Sequence, residues 1–167
     1  MAGSQRRVLV AYASRMGSTA EIAEVIAEQL RAAGLDVTLA PCAEAPDPGS
    51  FDAVVCGSAV YTTRWDKSAR RFLRAHREAL ASRPTWLFES GPTGEISERR
   101  HESPAAVLRL AEQIGTAPPR VFGGNLDPAR AKTRLARWVA NSDMAGDYRN
   151  WTQIRAWADG IARELTG

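Results

Sequence analysis

Cysteine is scarce in this 167-residue chain: Cys42 and Cys56 are its only two, with no CxxC spacing, and histidine is equally scarce at two. Neither a disulfide framework nor a structural zinc centre is supported by so few ligands, and no metal site is predicted. Both cysteines read as buried small hydrophobes. Long apolar runs are missing as well. Nothing approaches the roughly 18 residues of a spanning helix, and the opening MAGSQRRVLV has no apolar stretch followed by a cleavage site, which predicts a cytosolic chain. Internal repeats, low-complexity tracts and linker-like segments are absent too, so a single domain over residues 1–167 is expected.

What is present is ordinary globular composition, 44% hydrophobic and 25% charged, enough to bury a core. The net charge is +3, but residues 64–83 carry a balance of +5, residues 99–137 another +5, and the remainder −7. Such asymmetry marks either an anionic partner or solvated helix faces. Arg70, Arg71, Arg74 and Arg77 would give one helix a basic face. His76 and His101 are too isolated to hold a metal or serve a nucleophile, and Trp138, Trp151 and Trp157 sit at helical positions suited to packing.

Apolar runs and helical periodicities alternate along the chain. RVLVAYA (7–13) reads as a strand, and Ile22, Val25, Ile26 and Leu30 mark a helix over 19–33. A Ser18-x-x-Glu21 capping box is expected to start that helix, and Gly34 to stop it. Further strands are predicted at 35–40, 52–57, 85–89 and 120–126, and helices at 66–81, 104–114, 128–140 and 151–165. Pro104 falls in the first turn of its helix. Alternation of this kind implies an α/β fold, a doubly wound five-stranded parallel sheet of order 2-1-3-4-5 with helices on both faces.

Ligands in such folds bind at the carboxyl ends of the strands near the switch point, which directs attention to three loops. The first, Ser14, Arg15, Met16, Gly17, Ser18 and Thr19, is a hydroxyl-rich turn directly before a helix, where free N–H groups and the helix dipole favour a phosphate. Neither GxxxxGKS/T nor GxGxxG occurs there, so a monophosphate suits it better than a nucleoside triphosphate or a dinucleotide. The second loop runs from Ser58 through Ala59, Val60 and Tyr61 to Trp65; its two aromatics could flank a planar ring or pack at the rim. The third, Ser90, Gly91, Pro92, Thr93 and Gly94, allows close backbone approach.

The stretch VLVAYASRMGST resembles the first strand and phosphate loop of flavodoxins, with Ser14, Gly17 and Thr19 at the pattern positions. Within that superfamily VVCGSAVYTTRWDK, FGGNLDP and GDYRNWTQI resemble the menaquinone-dependent protoporphyrinogen dehydrogenase branch. Where that branch carries a long basic and apolar insertion, residues 91–118 here are polar and include Glu95, Glu98 and Glu102. The resemblance implies a flavodoxin-like fold, FMN as cofactor with its phosphate on the first loop and its ring between the other two, and a quinone-linked oxidoreductase acting on a small-molecule redox substrate. No catalytic side chain is assigned, since the flavin carries the chemistry. Three other readings stay open: a flavodoxin-type electron carrier, a relative using a deazaflavin, and a flavin-free binding module. Because quinones dissolve in membranes, peripheral, salt-sensitive association with an anionic membrane surface is expected through the basic helix; nucleic acid is not a predicted partner.

Overall fold

The computed structural model describes residues 4–15, 17–61, 64–91, 103–123, 125–126, 146–147 and 150–167. Five strands form a parallel sheet: β1 (Arg7–Ala13), β2 (Asp36–Pro41), β3 (Ala53–Tyr61), β5 (Thr85–Gly91) and β6 (Arg120–Gly123). A two-residue β4 (Arg64–Trp65) folds back antiparallel on β3, and β7 (Asn125–Leu126) pairs separately with β8 (Gly146–Asp147). The main path is β2-β1-β3-β5-β6, which is the expected 2-1-3-4-5 order once the short hairpin strand is set aside. The order reverses between β1 and β3, so the switch point lies where their carboxyl ends part.

Successive side chains of β1 enter different cores because a strand alternates its faces. Val8 and Val10 pack with Ile22, Ile26 and Leu30 of α1 (Ser18–Ala32) and Ile154 and Ile161 of α5 (Trp151–Thr166). Leu9 and Ala11 face the other way. They meet Phe72 and Leu73 of α2 (Lys67–Ala75), Leu80 of α3 (Arg77–Ala81) and Leu110 of α4 (Ala105–Ile114). Burial on both faces explains why VLVA is a continuous apolar run rather than an alternating one. Gly34, at φ +90°, ends α1 as predicted: its N–H reaches the Arg31 carbonyl and that of Leu35 the Leu30 carbonyl, with Leu30 and Leu35 packed in the same core.

Gly57 has a different reason to be glycine. A Cβ there would lie 2.1 Å from the Phe88 ring, which sits across the β3–β5 ladder from it. Phe88, Phe122 and Trp157 form a tilted and edge-on aromatic cluster with centroids 5.6–6.3 Å apart, so the predicted packing role of Trp157 holds.

Several boundaries differ from expectation. β3 and β5 run on through Ser58–Tyr61 and Ser90–Gly91, residues expected in loops. Ser58 and Ser90 fit the ladder with neighbours on either side, Ser58 between Ala13 and Glu89 and Ser90 between Ala59 and Phe122, while Val60 and Tyr61 pair with β4. The helix expected over 66–81 is two helices that break at His76 (φ −112°, ψ 19°). Like charges at helical spacing, Lys67–Arg71, Arg70–Arg74 and Arg74–Arg77, weaken one continuous helix. The strand expected over 120–126 is divided between β6 and β7. The helix expected over 128–140, together with Trp138 and His101, lies outside the described residues.

Candidate functional site

β1 delivers the chain to the switch point at Ala13, and a short loop then turns it into α1. Gly17 makes that turn at φ +89°, a left-handed conformation that a side chain would strain, and it is the N-cap of the 15-residue helix. The Ser14 hydroxyl oxygen accepts the Gly17 N–H at 3.0 Å, and the Glu21 N–H donates to the Gly17 carbonyl at 3.0 Å. The Ser18-x-x-Glu21 capping box is therefore overturned: glycine closes the loop one residue earlier as the N-cap, and Ser18 is the first residue inside the helix. The positive end of a long helix is thereby brought to the carboxyl edge of the sheet.

Ser58 and Ser90 stand on the neighbouring strands at the same edge. Ser58 lies between Ala13 of β1 and Glu89 of β5 in register, and Ala59 lies opposite Ser90. The hydroxyls of Thr19 and Ser90, both buried, meet at 3.1 Å, tying the start of α1 directly to the end of β5. Ser58 donates to the Ala59 carbonyl at 2.8 Å and accepts the Asp66 N–H at 3.0 Å, which ties β3 to the start of α2.

Asp66 organises the second side of the site. Its carboxylate accepts the Ser68 N–H at 2.9 Å as the N-cap of α2, accepts the Ser68 hydroxyl at 2.7 Å, and pairs with Arg15 Nε at 3.1 Å. Burial alone would raise this carboxyl's pKa; the bonds from Ser68 and the Arg15 guanidinium outweigh that and hold it below the usual 3.8. Arg15, with its side chain 58% exposed, thus links the first loop to the basic helix.

Ser14, Arg15, Gly17, Ser18 and Thr19 are thus brought to the same edge as Ser58, Ala59, Val60, Ser90 and Gly91. Tyr61 ends β3 there. Trp65 is not at a rim: it is 2% exposed in the core among Ala13, Cys56, Ala69 and Phe72, and its indole N–H has no hydrogen-bond partner among the described residues. Met16, Pro92, Thr93 and Gly94 lie outside the described residues.

Two residues at this edge escaped the sequence reading. Asp66 is the expected first residue of the helix over 66–81; it is instead the N-cap of α2, and Asp-x-Ser before a helix is the signal for that. Glu89 looked like a strand end; it is fully buried and accepts a hydrogen bond from the Ser103 hydroxyl. A carboxylate closing an apolar strand was its signal. A cavity of about 500 Å³ lined by Trp86, Pro118, Pro119, Val121 and Trp157 opens at the opposite, amino-terminal end of β5 and β6, away from the switch point. Among the described residues no group of three His, Cys, Asp or Glu side chains gathers as metal ligands would.

Residues 9–136 match the flavodoxin domain family. Protoporphyrinogen IX dehydrogenase [quinone] of Escherichia coli (strain K12) is 26% identical over 96 residues, covering 56% of this chain and 53% of that protein, so the chain spans about half the length of the curated relatives it matches. Oxidised Flavodoxin 2 from Bacillus cereus superposes with a TM-score of 0.62 at 18% identity, over 95% of this chain and 99% of that one. Rubredoxin oxygen:oxidoreductase from Desulfovibrio gigas gives 0.63 at 20% identity, over 95% of this chain and 36% of that one.

Proposed function

Because the chain belongs to the flavodoxin domain family, we propose that it binds flavin mononucleotide at the carboxyl edge of the sheet and is an oxidoreductase passing electrons from a small-molecule donor to a quinone. One observation carries the binding reading: a left-handed Gly17 at the start of α1 and a hydroxyl bridge from Thr19 to Ser90 draw the first and third loops to one edge, with Ser58 between them in the sheet. The family, not the packing, directs attention to flavin.

Ser14 accepts from Gly17, so its own O–H is left to donate to a phosphate oxygen. Backbone N–H groups at the start of α1 supply further donors and roughly half a positive charge toward a dianion. Gly17 lets the main chain approach, and Arg15 adds a cation near the loop while anchored on Asp66. The ring is assigned to the backbones of 58–61 and 90–94, with Tyr61 against it. Trp65 anchors the β3–β4 hairpin in the core beneath this edge. When bound, a flavin supplies hydride and single-electron chemistry, while the protein positions it and keeps water away. Ser58 and Ser90 are no more than 5% exposed, which suits that exclusion.

Calorimetric titration of the apoprotein with FMN, riboflavin and a phosphorylated deazaflavin tests the site. FMN is expected to bind more tightly than riboflavin by tenfold or more, on the order of 1.4 kcal/mol; equal affinities would make the first loop a helix start and nothing else, and preference for the deazaflavin would change the cofactor. Quinone linkage rests on the resemblance to the dehydrogenase. It is tested by mixing the reduced holoprotein with menadione, where multiple turnovers are expected. The alternative is a flavodoxin-type electron carrier, which the same fold suits equally. Failure to turn over the quinone, with ready electron exchange to a protein partner, would select it.

A further inference from the structure

The two cysteines, fourteen residues apart in sequence, meet in the second core with their sulfurs 3.8 Å apart. Cys56 is fully buried in the middle of β3, opposite Ala11 of β1 and Leu87 of β5. Cys42 opens a single 3-10 turn (Cys42–Glu44) directly after β2 and is 7% exposed. Between the two runs β1, the strand that carries the phosphate loop. We propose that Cys42 and Cys56 are a dithiol–disulfide couple, a modification site at which a low-molecular-weight disulfide oxidises the pair and staples the segment after β2 onto β3. The inference does not depend on the flavin assignment.

A disulfide bond is about 2.0 Å long, so the sulfurs need to close by about 1.8 Å from their present 3.8 Å. The two positions divide the chemistry unequally. Cys56 keeps its proton, because the hydrogen bond to Cys42, burial and the neighbouring sulfur all push its thiol above the ordinary range. Cys42 sits in a three-residue turn at the edge of the fold, which opens locally at far lower cost than a central strand. Attack therefore starts at Cys42. Its thiolate displaces one thiolate from the small disulfide and forms a mixed disulfide. Cys56 gives up its proton, attacks the Cys42 sulfur and expels the second small thiolate. In balance, two protein thiols and one small disulfide become one protein disulfide and two small thiols, the protein losing two electrons and two protons.

Oxidised glutathione is the probe. The full chain, incubated with it and then unfolded under an alkylating agent, is expected to be about 2 Da lighter, to carry no alkylatable thiol and to recover both with dithiothreitol. Its Tm is expected to rise by about 6–12 °C, from the loop of about fifteen residues that the bond would close. The Cys56→Ser variant should stop at the mixed disulfide on Cys42, and Cys42→Ser should leave Cys56 unmodified over the same time. Two alkylatable thiols remaining after exhaustive treatment, a glutathione adduct on the wild-type chain in place of the internal bond, or a disulfide-linked dimer would each overturn the proposal. Because the wild-type measurements stand alone, a variant that fails to fold does not remove the test.

Discussion

Gly17 holds the first loop in a shape that only glycine takes without strain, and several donors depend on that shape together. Gly17→Val imposes a β-branched side chain at φ +89°, a cost of about 1–3 kcal/mol. FMN affinity is expected to fall at least tenfold, against a smaller loss for Ser18→Ala, because valine misplaces several N–H groups and alanine removes one hydroxyl; titration of both variants with FMN checks the order. Asp66 gives a second expectation through pH. Its carboxyl is held below 3.8 in the folded protein, so the stabilisation from its ionised form is complete above the unfolded value and is lost as pH falls through the lower folded one. The difference in unfolding free energy between wild type and Asp66→Asn should therefore shrink below about pH 4. Urea denaturation across pH 2–6 measures it, and a pH-independent difference would show that the Ser68 hydrogen bonds and the Arg15 pair together do not lower the carboxyl's pKa.

At the scale of elements, α2 carries basic residues that no carboxylate pairs with among the described residues. Of the seven basic residues in 64–83, Arg83 is used internally, donating to the Phe51 and Pro48 carbonyls, and Arg77 reaches Gln113 from α3. Arg70 is braced on the Trp65 carbonyl. Lys67, Arg70, Arg71 and Arg74 surround a groove of about 500 Å³, and no carboxylate pairs with any of them among the described residues. About 1 kcal/mol per basic residue near an anionic membrane makes the expected association weak and salt-sensitive. Sedimentation with vesicles rich in anionic lipid at low ionic strength should recover the wild-type chain and not the Lys67→Glu/Arg71→Glu/Arg74→Glu variant; equal recovery would remove this face from any membrane role. The core strands and α1, α4 and α5 were legible because periodicity and apolar runs report burial directly. Misread were the places where tertiary pairing decides: Ser58 and Ser90 look like loop but have strands on both sides, and Ser18 looks like a cap until Gly17 closes the loop first. Neither the Arg15–Asp66 pair nor the Thr19–Ser90 bridge has any signature in local sequence, since each joins residues more than fifty positions apart.

Taken as a whole, the described residues form two cores divided by one sheet, and in the first of them the Phe88 ring leaves no room for a side chain at Gly57. Gly57→Ala would place a methyl group within 2.1 Å of the Phe88 ring, which is held in turn by Phe122 and Trp157. A loss of about 1–3 kcal/mol is expected from overpacking, read as a lower urea midpoint with altered Trp157 fluorescence. An unchanged midpoint would mean that the aromatic cluster can move aside. The outer strands of the same sheet bear on a different property, the behaviour of the protein at high concentration. Open strand edges are templates on which other chains add strands. Here β2 ends in Pro41, which has no N–H to offer, and begins with the charged Asp36, while β6 is four residues long and opens with Arg120. Short length, a charged start and a missing donor blunt both ends of the parallel sheet, so its growth from one molecule into the next, the first step of fibrillar aggregation, is opposed at either edge.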